Sequence, residues 1–451
     1  MGKNVQKLII PNLNGYNINA EVFKIEQAGQ EIFKEKCKTY FIMSAVYVFF
    51  IIVALIVDSP GEIFEGLIAI ATSRSILLTD YMVVGGVGAM LFNAAIAGLF
   101  YIAIYIITGA RPTGSTWLVM WLGTGFAMFG KSLFNMLPLV LGVWLYSKYK
   151  RDSFANYVVT ALLSAAISPA VSGIAFHHML EPHIGVPVGI LVGTFIGFIF
   201  PMVAAACTKM HGGLNLFNMG VAAGLIATFL GAGMGAFGLA PESVSQWGYG
   251  NDLPLGIMLY TISVAFMLYG LFSTGKFVLP PYREMMKVTG RVGTGDFITL
   301  FGDATYFNMG LMCALSTTIV LLWGVPINGP TIAGILTIVS VSAFGGHLKN
   351  TLPILIGALL ANYLNRWDPT YPANVLAILF SVGLVPMAGV FGIKWGIVTG
   401  FVHVNVIMQI GFITSGFNLY NNGYASGFVA LFMAPVIMAF NARKGKWKDV
   451  F

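Results

Sequence analysis

Gly213-Leu214-Asn215-Leu216-Phe217-Asn218-Met219-Gly220-Val221-Ala222-Ala223-Gly224 and Gly416-Phe417-Asn418-Leu419-Tyr420-Asn421-Asn422-Gly423-Tyr424-Ala425-Ser426-Gly427 read as one segment written twice. The match extends upstream at a fixed shift of 215 positions, where Asn135-Met136-Leu137-Pro138 with Gly142 corresponds to Asn350-Thr351-Leu352-Pro353 with Gly357, and Phe92-Asn93 to Phe307-Asn308. The chain therefore contains an internal duplication of roughly 200 residues per copy. In a very apolar chain, a repeat of that length points to a transporter or channel whose pathway lies where the two copies meet.

Composition fixes the solvent. Hydrophobic residues make up 57% of the 451 residues and charged residues only 9%, with a mean hydropathy of +0.83, whereas soluble domains carry about 25% charge. Apolar runs long enough to cross a bilayer, roughly 17 to 25 residues, recur from Phe41 to Phe440. The fold class is an all-α polytopic membrane protein, because an open sheet would leave its backbone groups without partners in hydrocarbon. The net charge of +7 sits in short loops beside apolar runs, which reports membrane orientation and excludes nucleic acid as a partner. Cys37, Cys207 and Cys313 lack metal-ligand spacing, and the loop holding His177, His178, Glu181 and His183 is read as His-rich without a metal. No cofactor is expected. Gly125 to Ser132 satisfies the nucleotide P-loop pattern letter for letter, but an apolar run without a preceding strand rejects it.

Five regions follow: a cytoplasmic segment at 1–39, a first membrane repeat at 40–238, an extracytoplasmic linker at 239–251, a second repeat at 252–440, and a basic cytoplasmic tail at 441–451. No secretory signal opens the chain, and Tyr16 to Lys38 suits a surface helix. Lys and Arg cluster in the first segment, at Lys148 to Arg151, at Lys276, Arg283 and Lys287, and in Arg443 to Lys448, which places these loops and both termini inside the plasma membrane. The intervening breaks face outward. Spans are expected at 40–58, 83–108, 114–130, 131–147, 154–176, 187–207 and 212–238, then at 252–272, 303–324, 328–345, 347–364, 373–391, 393–413 and 415–440. An odd number per copy inverts the second relative to the first. The loop charges agree, since basic Lys148–Arg151 aligns with Asn365–Asp368 and acidic Glu62/Glu65 with the basic loop after Lys276. The tight junctions at Gly130-Lys131 and Gly346-His347 leave a second count open, in which each flanking pair is a re-entrant hairpin and each copy keeps five spans. The total is thus 10–14 helices, with half-helices at 66–80 and 285–301.

Amides at membrane depth need partners. Asn215, Asn218, Asn418 and Asn421, with Asn93 and Asn308, are expected to line a polar path, offering donors and acceptors to a small solute. Alternatively they cap half-helices while nearby glycines allow close packing. Asn135 and Asn350, three residues before Pro138 and Pro353, mark helix breaks that free carbonyls as solute ligands. Ionisable groups in apolar surroundings are functional candidates. Asp80, Asp296 and Asp303 are the candidate coupling sites; Lys131, Lys349, His347 and His403 join them, with the two lysines on one face of equivalent helices.

The Gly-Leu-x-x-Phe-Asn pattern at Gly213 to Asn218, with its copy at Gly416 to Asn421, is similar to a Gly-Leu-x-x-Tyr-Asn segment of urea transporters. That resemblance implies a channel of two inverted five-span halves, assembled as trimers. Over its full length the chain resembles an uncharacterised bacterial family of multi-spanning membrane proteins. Gly293-Thr294-Gly295-Asp296 also resembles the Gly-x-Gly-Asp motif of intramembrane aspartyl proteases, with Asp80 or Asp303 as the second carboxylate. The leading expectation is a channel or secondary transporter, not an enzyme, that moves a small polar, urea-like or amide-like solute. It would work as a homo-oligomer, a dimer or trimer, in the lipid bilayer.

Overall fold

In the computed structural model, described for residues 18–242, 244–273 and 278–442, every regular element is helical. The chain divides into residues 1–43 and 44–451. Helix α1 (Ile18–Val57) is one uninterrupted element, and the described part of the stretch expected as a surface helix, from Ile18 to Lys38, belongs to it. Residues 1–17, Lys276 and the basic tail from Arg443 lie outside the described residues.

The first copy continues through α2 (Pro60–Thr72), α3 (Tyr81–Thr108), α4 (Gly114–Phe126), α5 (Leu133–Tyr149), α6 (Val158–Ser164), α7 (Ser168–Ala175), α8 (Pro182–Thr208) and α9 (Asn218–Ala236). The second runs α10 (Asp252–Ser273), α11 (Leu279–Met285), α12 (Phe297–Phe301), α13 (Ala304–Trp323), α14 (Gly329–Ser342), α15 (Leu348–Leu364), α16 (Pro372–Leu379), α17 (Val385–Phe391), α18 (Ile393–Ile410) and α19 (Asn421–Ala442). Among the described residues, ten helical stretches are long and apolar enough to cross a bilayer, five in each copy. The protein is a multi-pass membrane protein, with these ten stretches as its candidate spans.

Two expected spans are shorter than the sequence suggests. Helices α4 and α14 have 13 and 14 residues, about 20 Å of rise against about 30 Å of hydrocarbon. Each turns at once into α5 or α15 and forms a hairpin. Asn93 of α3 donates from Nδ2 to the carbonyls of Ala127 (2.6 Å) and Lys131 (2.8 Å) at one tip, and Asn308 of α13 donates to Ser342 and Gly346 (both 2.8 Å) at the other. Asn135 accepts from the Ser132 N–H at 2.8 Å and donates to Gly130 O at 3.0 Å; Asn350 does the same with His347 (2.8 Å) and Gly345 (2.9 Å). These four asparagines satisfy carbonyls and N–H groups that a tight turn exposes. Pro138 and Pro353 stay inside continuous helices, so the expected breaks are absent there.

The real breaks lie elsewhere. The spans expected at 154–176 and 373–391 are each two short helices, α6–α7 and α16–α17, joined by 3-10 turns at Ala165–Ile167 and Phe380–Leu384. Pro169 and Pro386 sit in the first turn of the second piece, where a missing N–H costs nothing. Both interrupted spans are 89% buried, which puts them at the centre of the helix array. The expected half-helices at 66–80 and 285–301 are displaced: α2 stops at Thr72, and α11 and α12 are one- to two-turn pieces on either side of an irregular stretch.

The copies exchange their contacts. The N–H of Leu77 bonds Gly416 O and that of Val292 bonds Gly213 O, both at 3.0 Å; Leu216 N–H bonds Gly383 O and Leu419 N–H bonds Ala166 O, both at 2.9 Å. Each copy's repeated Asn loop therefore crosses the other copy's interrupted helix. Where α9 meets α19, a Cβ on Gly220 would lie 2.7 Å from Gly423 Cα, so the backbones touch. Replacing Asn93 or Asn308 by Leu should strand two buried carbonyls and cost on the order of 2–3 kcal/mol. Thermal unfolding in detergent checks this, and wild-type behaviour in both variants would show that the amides are not hairpin staples.

Candidate functional site

Asn215 and Asn418 shape the loops before α9 and α19. Each side-chain oxygen accepts the N–H two residues on, from Phe217 at 3.0 Å and Tyr420 at 2.8 Å, the Asx turn that these residues favour. The loops then diverge. In the second copy Asn421 accepts from the Thr414 hydroxyl at 2.8 Å, while the first copy has His211 where Thr414 stands and Met219 where Asn422 stands.

The second-copy loop lines a cavity of about 550 Å³ between the copies, within the range of small-molecule sites. The first copy contributes Ile76, Leu77, Leu78 and Phe129. The linker contributes Ala240, Pro241, Val244 and Ser245. The second copy adds Tyr371, Pro372, Ala373, Leu376 and Phe380 from the start of α16 and its break, and Ile407 to Asn422 around the α18–α19 turn. Behind the wall, His403 is fully buried on α18, and its Nε2 meets Asn422 Oδ1 at 3.0 Å. Two of the lining rings, Phe129 and Phe380, belong to a cluster of five buried rings. Phe126 stacks on Phe380 at 6.0 Å and meets Tyr420 edge-on at 5.3 Å, Phe129 packs on Phe380 at 6.5 Å, and Phe217 packs on Tyr420 at 4.7 Å.

Of the eight asparagines expected to bind solute, only Asn421 reaches this cavity. Asn93, Asn308, Asn135 and Asn350 belong to the hairpin tips, Asn215 and Asn418 to turns. Asn218 begins α9 with its oxygen buried and without a hydrogen-bond partner. Of the seven ionisable candidates, His403 touches the site through Asn422. His347 precedes α15, bonding Val288 O at 2.9 Å and stacking on Phe297. Asp80 is fully buried and holds helix starts, accepting from Met82 N–H at 3.0 Å and Gly248 N–H at 2.9 Å, with the Gly329 N–H also on it. Asp296 accepts from Gly114 N–H at 2.8 Å and Thr299 N–H at 3.1 Å. Asp303 precedes α13 without capping it. Thus Asp80 sits at the start of α14 and Asp296 at the start of α4. The tip residue Met128 after α4 accepts from Tyr81 N–H at 3.1 Å, and Ala343 after α14 accepts from Phe297 N–H at 3.2 Å. The two carboxylates therefore lie at opposite ends of α4, about 20 Å apart by its rise. They cannot share a water, which removes the protease pairing of Asp296 with Asp80.

The lysines also part company. Lys349 is exposed, whereas Lys131, 1% exposed in the α4–α5 turn, donates from Nζ to the Tyr101 hydroxyl at 2.7 Å and lies 5.4 Å from the ring centres of Tyr101 and Phe126. Its neighbourhood is aromatic and carries no carboxylate within ion-pair distance among the described residues. Sequence reasoning missed Asn422, Ser245, Tyr371 and the aromatic floor. The one available signal was the Asn421-Asn422 doublet, which breaks the match with Asn218-Met219. An ammonium held by one phenol and two ring faces is poorly compensated. Lys131→Met should therefore raise the unfolding temperature, and a fall would show that the ammonium is already well paired. A cysteine at Ser245 should react with a water-soluble thiol reagent, and one at Ser316, 1% exposed, should not.

No curated protein and no solved structure is matched by this chain, and the similarity to urea transporters gains no support. A family model does match, over residues 59–235 and 275–439, covering the greater part of both copies. With a match of that extent over the two membrane repeats, the chain belongs to the family described as Protein of unknown function (DUF1576).

Proposed function

We propose that this protein is a secondary transporter for a small solute, working by alternating access between two inverted repeats in the plasma membrane, with both termini in the cytoplasm. The carrying observation is the cavity that lies between the copies, whose lining rings Phe129 and Phe380 belong to a buried cluster with Phe126, Phe217 and Tyr420. A channel needs a continuous polar path, and a plug of buried rings supports a carrier instead. The plug is built on the break in α16–α17 and on the α4–α5 tip. These are interrupted elements of the kind transporters use where irregular backbone must line a cavity.

Inversion is supported by the reciprocal contacts and the opposed loop charges. With the linker and the 365–371 loop outside, the cavity opens outward. The corresponding crossing at Gly213 and Val292 then faces inward. There Arg291 stands in the place of Ile76 and donates from Nε to Gly212 O at 2.7 Å, closing that side. α4–α5 would enter from the cytoplasm and α14–α15 from outside.

The reading predicts one-sided access. Ser415→Cys, in a background without Cys37, Cys207 and Cys313, should be labelled by an impermeant thiol reagent applied outside and not inside. Phe126→Ala/Phe380→Ala proteoliposomes should leak urea and formamide that wild type excludes. Wild-type flux of these solutes that rises linearly with concentration, without saturation, would favour a channel and sink the carrier.

A further inference from the structure

The cavity wall offers hydrogen-bond donors and no negative charge. Among its lining residues there is no Asp or Glu. Helices α16 and α19 both begin in this wall, at Pro372 and Asn421; a helix start presents the positive end of its dipole and N–H groups without helical partners, which in α16 means Ala373, since Pro372 has no N–H and that of Asn374 bonds Tyr371 O. Neither start carries a side-chain cap from its preceding residue, Tyr371 or Tyr420, since a ring cannot reach back onto the helix. Asn421 is 4% exposed, gives its oxygen to Thr414 and leaves Nδ2 without a partner. Asn422 gives its oxygen to His403, which leaves its NH2 as the free end.

A basic side chain lies behind the floor. Gly130, next to Lys131, packs on Leu419 of the cavity wall, and Phe126, whose ring is 5.4 Å from Lys131 Nζ, stacks on Phe380 of the floor. In a medium of low dielectric a charge at this range is felt strongly. The acids beside the lining are already engaged: Glu242 pairs with Arg74 at 3.3 Å, Asp80, two residues beyond Leu78, accepts from the Met82, Gly248 and Gly329 N–H groups, and Asp368 accepts from the Thr370 N–H and hydroxyl, both at 2.8 Å, which hold its carboxyl below the usual carboxylate range. The corresponding crossing in the first copy has the same sign. There Arg291, Lys209 and His211 stand where Ile76, Phe412 and Thr414 stand here.

We infer that the cavity binds a small organic anion, a monocarboxylate with a short apolar body, whose carboxylate meets Asn421, Asn422 and the first turns of α16 and α19 while its body lies against Leu77, Phe380 and Phe412. Lys131 is a positioning residue that favours the anion from behind the floor. This substrate class rests on the carrier reading above.

Matched isosteres separate charge from shape. Butyrate and benzoate, butyramide and benzamide, and butylamine and benzylamine are each tested for protecting Ser415→Cys from outside labelling in the full-length protein in liposomes. The carboxylates should protect at concentrations at least tenfold below the amides, and the amines should not protect. In Lys131→Met the carboxylate advantage should shrink about tenfold with amide protection unchanged, while Lys131→Arg retains it. Equal or better protection by the amides overturns the anion class and leaves the cavity as a binding site. If none of the six protects while labelling stays one-sided, the anion class fails and the carrier reading stands. Labelling from both sides, or from neither, fails the carrier reading itself.

Discussion

Every interrupted helix inside a membrane must find partners for the backbone groups its ends expose, because hydrocarbon supplies none. This chain has four such elements at its centre, the short helices α4 and α14 and the broken spans α6–α7 and α16–α17. Its answer is exchange. Asp296 of the second copy holds the first N–H of α4, and Asp80 of the first copy holds the first turn of α3 and reaches the start of α14. The carbonyls at the breaks, Ala166 and Gly383, are taken by Leu419 and Leu216 of the opposite copy. The tips of the hairpins are closed by asparagines from α3 and α13. Remove the exchange and each copy is left with open helix ends at membrane depth, each costing several kcal/mol.

The cavity is a by-product of the same arrangement. A loop that crosses to the opposite copy leaves space where its side chains are small or absent. On one side of the molecule that space is wide enough for a solute, because Ile76 and Gly416 are compact. At the other crossing Arg291 donates from Nε to Gly212 O. Two near-identical crossings thus differ through a handful of side chains.

The duplication, the helical class and the ten-span count were open to reading in the sequence. The residues that a backbone crossing requires, Gly and Asn, recur at fixed spacing in both copies and cannot drift. The hairpins were harder, since Gly130-Lys131 and Gly346-His347 offer no polar loop to mark a turn. The breaks at Ala165–Ile167 and Phe380–Leu384 were invisible, because apolar residues fill them as they would any helix. Pro138 and Pro353 drew attention away to helices that remain whole. The asparagines show the limit most clearly. That an amide in lipid must bond is legible; whether it bonds a carbonyl of its own chain or a solute depends on packing, and for Asn93, Asn308, Asn135 and Asn350 the chain's own carbonyls won. Asn422 escaped notice because its role depends on His403, nineteen positions away.

The contact of Gly220 with Gly423 has a further meaning. Two equivalent residues touching each other mark a self-complementary surface, the isologous interface of a two-fold dimer. The bonds exchanged by Leu77 and Val292, and by Leu216 and Leu419, have the same form. A single half of this chain therefore carries both sides of the junction.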